Sequence, residues 1–113
     1  MNYQTVTTED FERKVKALSK KYRSLKSDLV AFEKELLANP TMGDDLGSNI
    51  RKVRMSITSK NRGKSGGARI ITCTVLVNVS NTDIYLLTIY DKGEQESISK
   101  KEIEHLRAIN GLS

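Results

Sequence analysis

Tryptophan is missing from this sequence, and aromatics are scarce: two Phe and four Tyr. That scarcity argues against a large stacking platform for single-stranded bases. One cysteine, Cys73, excludes an internal disulfide, and one histidine, His105, leaves no plausible zinc site and no Ser/His/Asp constellation. No apolar run is long enough to span a bilayer. The N-terminal residues 1–10 lack a basic stretch followed by an apolar one, so no secretory signal is expected. A soluble cytoplasmic protein without metal or cofactor is the expectation. The Gly63-Lys64-Ser65-Gly66-Gly67 turn contains Gly-Lys-Ser but not a P-loop. Thr58 stands where the first glycine is required, and a strand pattern follows where a helix should.

The most informative absence is local. Residues 46–82 contain no Asp or Glu, whereas residues 1–45 hold eight and residues 83–113 hold six. Seven cations lie in the acid-free stretch: Arg51, Lys52, Arg54, Lys60, Arg62, Lys64 and Arg69. With a net charge of +5, this places the positive field on one part of the fold and points to a polyanionic partner.

The 113 residues suit one domain, and no linker or repeat divides residues 1–113. Tyr3 to Val6 reads as a short first strand. Thr7-Thr8-Glu9-Asp10 then opens a helix whose apolar face is Phe11, Val15, Leu18 and Tyr22. After a break at Tyr22-Arg23, the pattern restarts at Ser24 with Leu25, Leu29, Phe32 and Leu36, and ends at Asn39-Pro40. Two such helices predict a hairpin. Thr41 to Ser48 reads as a loop.

Ile50 to Ile57 alternates as a strand, with Arg51, Val53, Met55 and Ile57 on one face and Lys52, Arg54 and Ser56 on the other. Thr58 to Gly67 is a polar connection. Ala68–Val79 and Ile84–Tyr90 are β-branched strands around a turn at Ser80–Asp83, with Cys73 expected as a small buried side chain. Ser99-Lys100-Lys101-Glu102 is a capping box between Ile98 and Ile103. It starts a helix with the stripe Ile103, Leu106 and Ile109 that stops at Asn110-Gly111. The expected architecture is α+β: a small antiparallel sheet in the order β-α-α-β-β-β-α, with the helical hairpin and the C-terminal helix on one face.

Within this frame the spacing brings Lys52 and Arg54 to one strand face, with Arg69 entering the next strand. Three clustered cations form either a solvated basic strand or a phosphate site. Such a cluster also lowers the pKa of its own members, which makes a lysine a usable base. Tyr90 ends the last strand beside Asp91-Lys92 and reads as a rim packing residue, a stacking surface or a proton-transfer group.

Four stretches, taken in order, resemble the RelE/ParE superfamily of bacterial toxins, nearest its RelE and HigB-like members. They are Phe11-x-x-x-Val15-Lys16-x-Leu18-Ser19-Lys20-Lys21-Tyr22, Leu36–Gly43, Ile50–Arg54 with Ser65–Ile71, and Ile84–Glu94 followed by the last helix. The resemblance implies a RelE-like fold and a toxin of a type II toxin–antitoxin pair. Such a toxin is a metal-independent, ribosome-dependent mRNA endoribonuclease that inhibits translation. It implies as partners the ribosome, mRNA and a cognate antitoxin with a HigA-like helix-turn-helix, with operator DNA bound only through the antitoxin complex and no membrane.

Carried over residue by residue, Lys52, Arg54 and Arg69 match the family's catalytic cations, and Lys92 falls near a basic position after the last strand. The tyrosine that RelE carries in its C-terminal segment is absent from Glu96-Ser97-Ile98-Ser99. HigB-like toxins differ there too and use the end of the last strand, which adds Tyr90 to the candidate catalytic set. Arg51, Lys60, Arg62 and Lys64 are candidate RNA contacts. ParE-like relatives act on DNA gyrase, so a gyrase inhibitor and a non-catalytic basic RNA- or protein-binding module stay open beside the ribonuclease.

Overall fold

The computed structural model describes residues 2–61 and 63–112. Along the chain run β1 (Asn2–Thr7), α1 (Glu9–Lys21), α2 (Leu25–Ala38), β2 (Asp44–Gly47), β3 (Ile50–Met55), a 3-10 turn (Thr58–Lys60), β4 (Ala68–Asn78), β5 (Asn81–Asp91) and α3 (Lys100–Ile109). The strands form one sheet in the order β1-β5-β4-β3-β2. No helix among the described residues is long and apolar enough to cross a membrane.

The α+β architecture and the RelE-like order of elements stand, with three corrections. First, the loop expected at Thr41–Ser48 contains a strand. β2 pairs antiparallel with β3 across a two-residue turn, Ser48-Asn49. Both turn residues have positive φ (54° and 64°), the backbone that matches the twist of a tight hairpin. Asn tolerates that region, but Ser-Asn is a weak signal beside Asn-Gly, and four exposed residues leave no burial pattern to read.

Second, the sheet is mixed. β1 lies parallel to β5, Asn2 opposite Asn81 through Thr7 opposite Leu86, and the remaining pairings are antiparallel. The central strand is β4, which forms a long hairpin with β5. Where β1 ends, Thr8 takes over. Its hydroxyl donates to the Leu86 and Leu87 carbonyls (2.9 and 3.1 Å) and accepts from Phe11 N–H. One buried side chain therefore caps α1 and occupies β5 carbonyls that β1 no longer reaches.

Third, the helices do not share a face. Phe11 of α1 and Leu25, Phe32 and Leu36 of α2 pack with Val53, Met55, Ile70, Ile84 and Ile89. Ile103 and Leu106 of α3 pack in a separate core with Ile50, Ile71, Cys73, Leu87 and Tyr90. The sheet is thus covered on both sides, as the near-continuous apolar runs of β4 and β5 require. A bulge in β5 adjusts its alternation: Leu86 pairs with Thr72 and Thr88 with Ile71, leaving Leu87 as the extra residue. That is how Leu86 and Ile89 face one core while Leu87 and Tyr90 face the other. Ser99 caps α3 by accepting from Glu102 N–H as expected, but Ile109 is 61 % exposed and lies outside the stripe.

Gly67 marks where the chain returns from the polar connection into β4. A Cβ there would sit 2.1 Å from the Met55 carbonyl oxygen and 3.0 Å from the Ile57 nitrogen. Both are backbone atoms that cannot swing aside. Gly67→Ala is expected to lower unfolding free energy by about 2–3 kcal/mol, read as a lower urea midpoint at unchanged slope.

Candidate nucleic-acid interface

Strand register sets the positions of the basic residues. Arg54 of β3 lies opposite Arg69 of β4, and Arg69 lies opposite Tyr90 of β5, a row across three strands. The neighbouring row on the same face is Lys52, Ile71 and Thr88. Ile50, Ile71 and Tyr90 belong to the core under α3, so this is the α3 side of the sheet. Lys52 is half-buried and Arg54 exposed, beyond the part that the helix covers. Lys64 is exposed and borders a small notch of about 300 Å³ that Lys52 and Arg54 also line.

Arg69 is 5 % exposed, and its guanidinium donates to the carbonyls of Lys64 (3.1 Å), Ser65 (3.0 Å) and Ala68 (3.2 Å). These bonds gather the connection against the start of β4. They also give the charge local acceptors, which two arginines placed opposite each other across strands need. Tyr90 is 5 % exposed, and its hydroxyl has no hydrogen-bond partner among the described residues, as is also true of Thr88 Oγ1 in the next row. Burial pushes the Tyr90 phenol up and the nearby Arg69 charge pulls it down, with a net rise. Tyr90 therefore stays protonated at neutral pH and is a donor in waiting.

The other candidate residues are elsewhere. Arg51 alternates to the helical-hairpin side and lies 3.7 Å from Asp45. Lys60 belongs to a buried cluster on that same side. Lys64 pairs with Glu35 of α2 at 2.9 Å. Lys92, one residue past β5, donates to the Glu96 carbonyl (2.9 Å) and carboxylate (3.2 Å). Arg62 lies outside the described residues. The register thus brings together Lys52, Arg54, Arg69 and Tyr90, with Lys64 at the margin and Arg51 and Lys60 on the other side.

Two acids that spacing could not single out hold the polar connection in place. Asp91, 3 % exposed, accepts from Lys60 Nζ (2.7 Å), Gly93 N–H (2.9 Å) and the Tyr22 hydroxyl. Lys21 and Lys60 both approach the Tyr22 ring, at 5.2 and 5.6 Å from its centre. Asp28 of α2 accepts from Thr58 N–H (2.9 Å), the Thr58 hydroxyl and the Ser24 hydroxyl (2.7 Å). Asp91 follows Tyr90 directly, so the strand end presents the phenol to one face and the carboxylate to the other. The only sequence signal was a lone acid at the end of an apolar strand.

Burial alone would raise the Asp91 carboxyl, but hydrogen bonds from Lys60, Tyr22 and Gly93 outweigh it and lower its pKa from 3.8 to about 2. Its contribution is fully present above the unfolded value and is lost as pH falls through about 2. Acid titration of stability should show a loss of about 2 kcal/mol across that window. In Asp91→Asn that component should vanish, and at neutral pH Lys60 is left unpaired at a cost of about 3 kcal/mol, both measurable by urea unfolding at stepped pH.

A family model described as the RelE toxin of the RelE/RelB toxin–antitoxin system matches residues 4–112. The match spans the helical hairpin, the five strands and α3, so it covers both the basic rows and the elements that position them. The chain belongs to the RelE toxin family.

Proposed function

We propose that this toxin is a ribosome-dependent endoribonuclease that cleaves mRNA and so inhibits translation in the cytoplasm. The observation that carries this reading is the pair of rows on the α3 side of the sheet: Lys52 and Arg54 accessible, Arg69 nearly buried in register opposite Arg54, and Tyr90 in register beside Arg69. The stretch that builds the first three contains no acid.

RNA cleavage of this kind needs little covalent participation from the protein. The ribose 2′-oxygen attacks the adjacent phosphorus, the bond from phosphorus to the 5′-oxygen breaks, and a 2′,3′-cyclic phosphate and a 5′-hydroxyl result. The 2′-proton must be taken up, the leaving 5′-oxygen must receive a proton, and negative charge on the non-bridging oxygens must be balanced. Lys52 is assigned the 2′-proton. Arg54 is assigned the phosphate because its guanidinium is exposed and offers a bidentate fork. Arg69 adds fixed positive charge from the neighbouring strand and holds the loop in place. Tyr90, whose phenol remains protonated, is assigned donation to the leaving oxygen, a role that requires α3 to move aside because the hydroxyl is buried beneath that helix. Lys64 borders the site, while Arg51, Lys60 and Lys92, paired with Asp45, Asp91 and Glu96, are left out of the chemistry.

The family pairing with RelB supports a cognate antitoxin as partner. Its HigA-like helix-turn-helix form, and operator binding through the complex, belong to the proposal. The same pairing favours the ribonuclease over a gyrase inhibitor on this scaffold.

Lys52→Ala and Arg54→Ala each change a side chain outside both cores, so folding should be retained. Each is expected to slow cleavage of ribosome-bound mRNA about a hundredfold, scored by primer extension on programmed ribosomes. Wild-type rates in both variants would remove these two residues from the mechanism. An SOS response with intact mRNA on induction of the wild-type chain would replace the ribonuclease with gyrase poisoning.

A further inference from the structure

β4 is buried from Ala68 to Cys73 and then opens to solvent, where it and β5 close into a hairpin through the turn Val79-Ser80. Leu76 is 66 % exposed, Val77 55 % and Val79 91 %. Tight turns favour Gly, Asn and Asp, and a branched apolar residue at such a point gains nothing for an isolated chain in water. The turn is nevertheless well fixed. The Asn78 side-chain oxygen accepts from the backbone N–H of Ser80 (2.9 Å) and Asn81 (3.0 Å) and from the Asn81 side-chain amide (3.0 Å). The apolar side chains are thus held on a preorganised support.

The two edges of β4 differ here. β5 accompanies it as far as Asn78 opposite Asn81. β3 accompanies it only to Cys73, opposite Ile50, with one further bond from the Thr74 N–H to the Asn49 carbonyl. From Val75 to Asn78 no strand lies on that side among the described residues. The open edge reads Val75-Leu76-Val77-Asn78, without the lysine or proline that blunts an exposed edge. A bulge at Val77 limits any ladder there to a few bonds, so side chains must carry most of a contact. Residues 74–82 hold no charge, in a chain of net +5. Asp83, the first charge beyond, accepts from the Gln4 side chain at 2.7 Å. Arg69 of the basic row is seven residues before Leu76, about 23 Å along the strand.

We infer that this hairpin end is a self-association surface, where a second copy of the chain pairs antiparallel, edge to edge, about a twofold axis near Val77. A strand edge run antiparallel against itself is its own complement, so each copy covers the other's Leu76, Val77 and Val79. Charge selects the same occupant. A nucleic-acid backbone or an acidic segment gains nothing from an uncharged end. Two chains of net +5 repel wherever their cations face each other, and this end is where they meet at least electrostatic cost. The basic rows, farther down the strands, stay open in such a pair. One hairpin end per copy buries less than the roughly 800 Å² per partner of a standard interface, so the dimer is weak and depends on concentration. The inference stands apart from the ribonuclease reading and needs only the fold.

Sedimentation equilibrium of the full chain, over a wide concentration range and at two salt concentrations, tests this. A monomer–dimer equilibrium with a Kd of about 10–100 µM is expected. Higher salt should tighten it, because salt screens the repulsion between two cationic chains while the contact itself carries no charge. Leu76→Lys with Val79→Lys changes only exposed side chains and should weaken association about tenfold or more. Val77→Cys should give a disulfide-linked dimer under oxidation, whereas Ile109→Cys, comparably exposed at the end of α3, should not at the same concentration. A wild-type chain that stays monomeric throughout would overturn the inference. So would a dimer that survives the double lysine variant, or one that salt dissociates, since either places the contact elsewhere. Should the wild type be monomeric and the lysine variant instead lose affinity for the purified antitoxin, the edge belongs to a different chain and the second-copy assignment fails.

Discussion

The carboxylate of Asp91 is the point at which separate parts of the chain meet. It lies at the end of β5, nearly inaccessible, and holds Lys60 from the 3-10 turn, Tyr22 from the end of α1 and the Gly93 N–H of the turn beyond the strand. A buried acid with fewer partners would be expensive. Here each oxygen is occupied, so the charge stays ionised and its partners are fixed relative to one another. Tyr90, the preceding residue, inherits that rigidity and can keep an unbonded hydroxyl under α3. A mobile strand end would turn that hydroxyl to water.

The two faces of the sheet then take different tasks. On the hairpin side, Phe11, Leu25, Phe32 and Leu36 of α1 and α2 pack on a larger set of strand residues, and Asp28 and Asp91 fasten the polar connection. The α3 side has a smaller core, and the short helix covers only part of it. The uncovered part is where β3 and β4 project their cations. Were α3 packed beside the hairpin, as the periodicity alone allowed, Cys73, Leu87 and Tyr90 would face water. The bulge at Leu87 is the local device that lets one strand serve both cores.

Much of this was legible in the residues. Helix boundaries came from real caps: Thr8 and Ser99 both accept the N–H bonds that their positions predict. The alternation of Ile50 to Met55 gave the correct face for Lys52 and Arg54 and put Arg51 on the other. What escaped was set by pairing between distant segments. β2 is too short and too exposed to show periodicity, and β1 gives no sign of its parallel partner. The face chosen by α3 depends on a bulge that no local pattern marks. Lys60 illustrates the limit for single residues. As a lysine in an acid-free stretch it read as a docking charge, yet its ammonium is 2.7 Å from an acid 31 positions along the chain.

Arg69 shows how the site and the fold are coupled. Facing Arg54 across one strand pair and nearly buried, its charge would be repelled by its neighbour and deprived of water. The connection Lys64–Ala68 supplies what water would have, three carbonyl acceptors. Those carbonyls are turned inward because Gly67 lets the backbone pass against Met55 without a Cβ in the way. The polar loop, which holds Gly-Lys-Ser but no phosphate-binding geometry, thus acts as a solvent substitute for one arginine. That leaves the guanidinium of Arg54, with no such acceptors around it among the described residues, as the exposed cation of the row. The division of labour between two arginines in register therefore follows from a glycine two residues before the second of them.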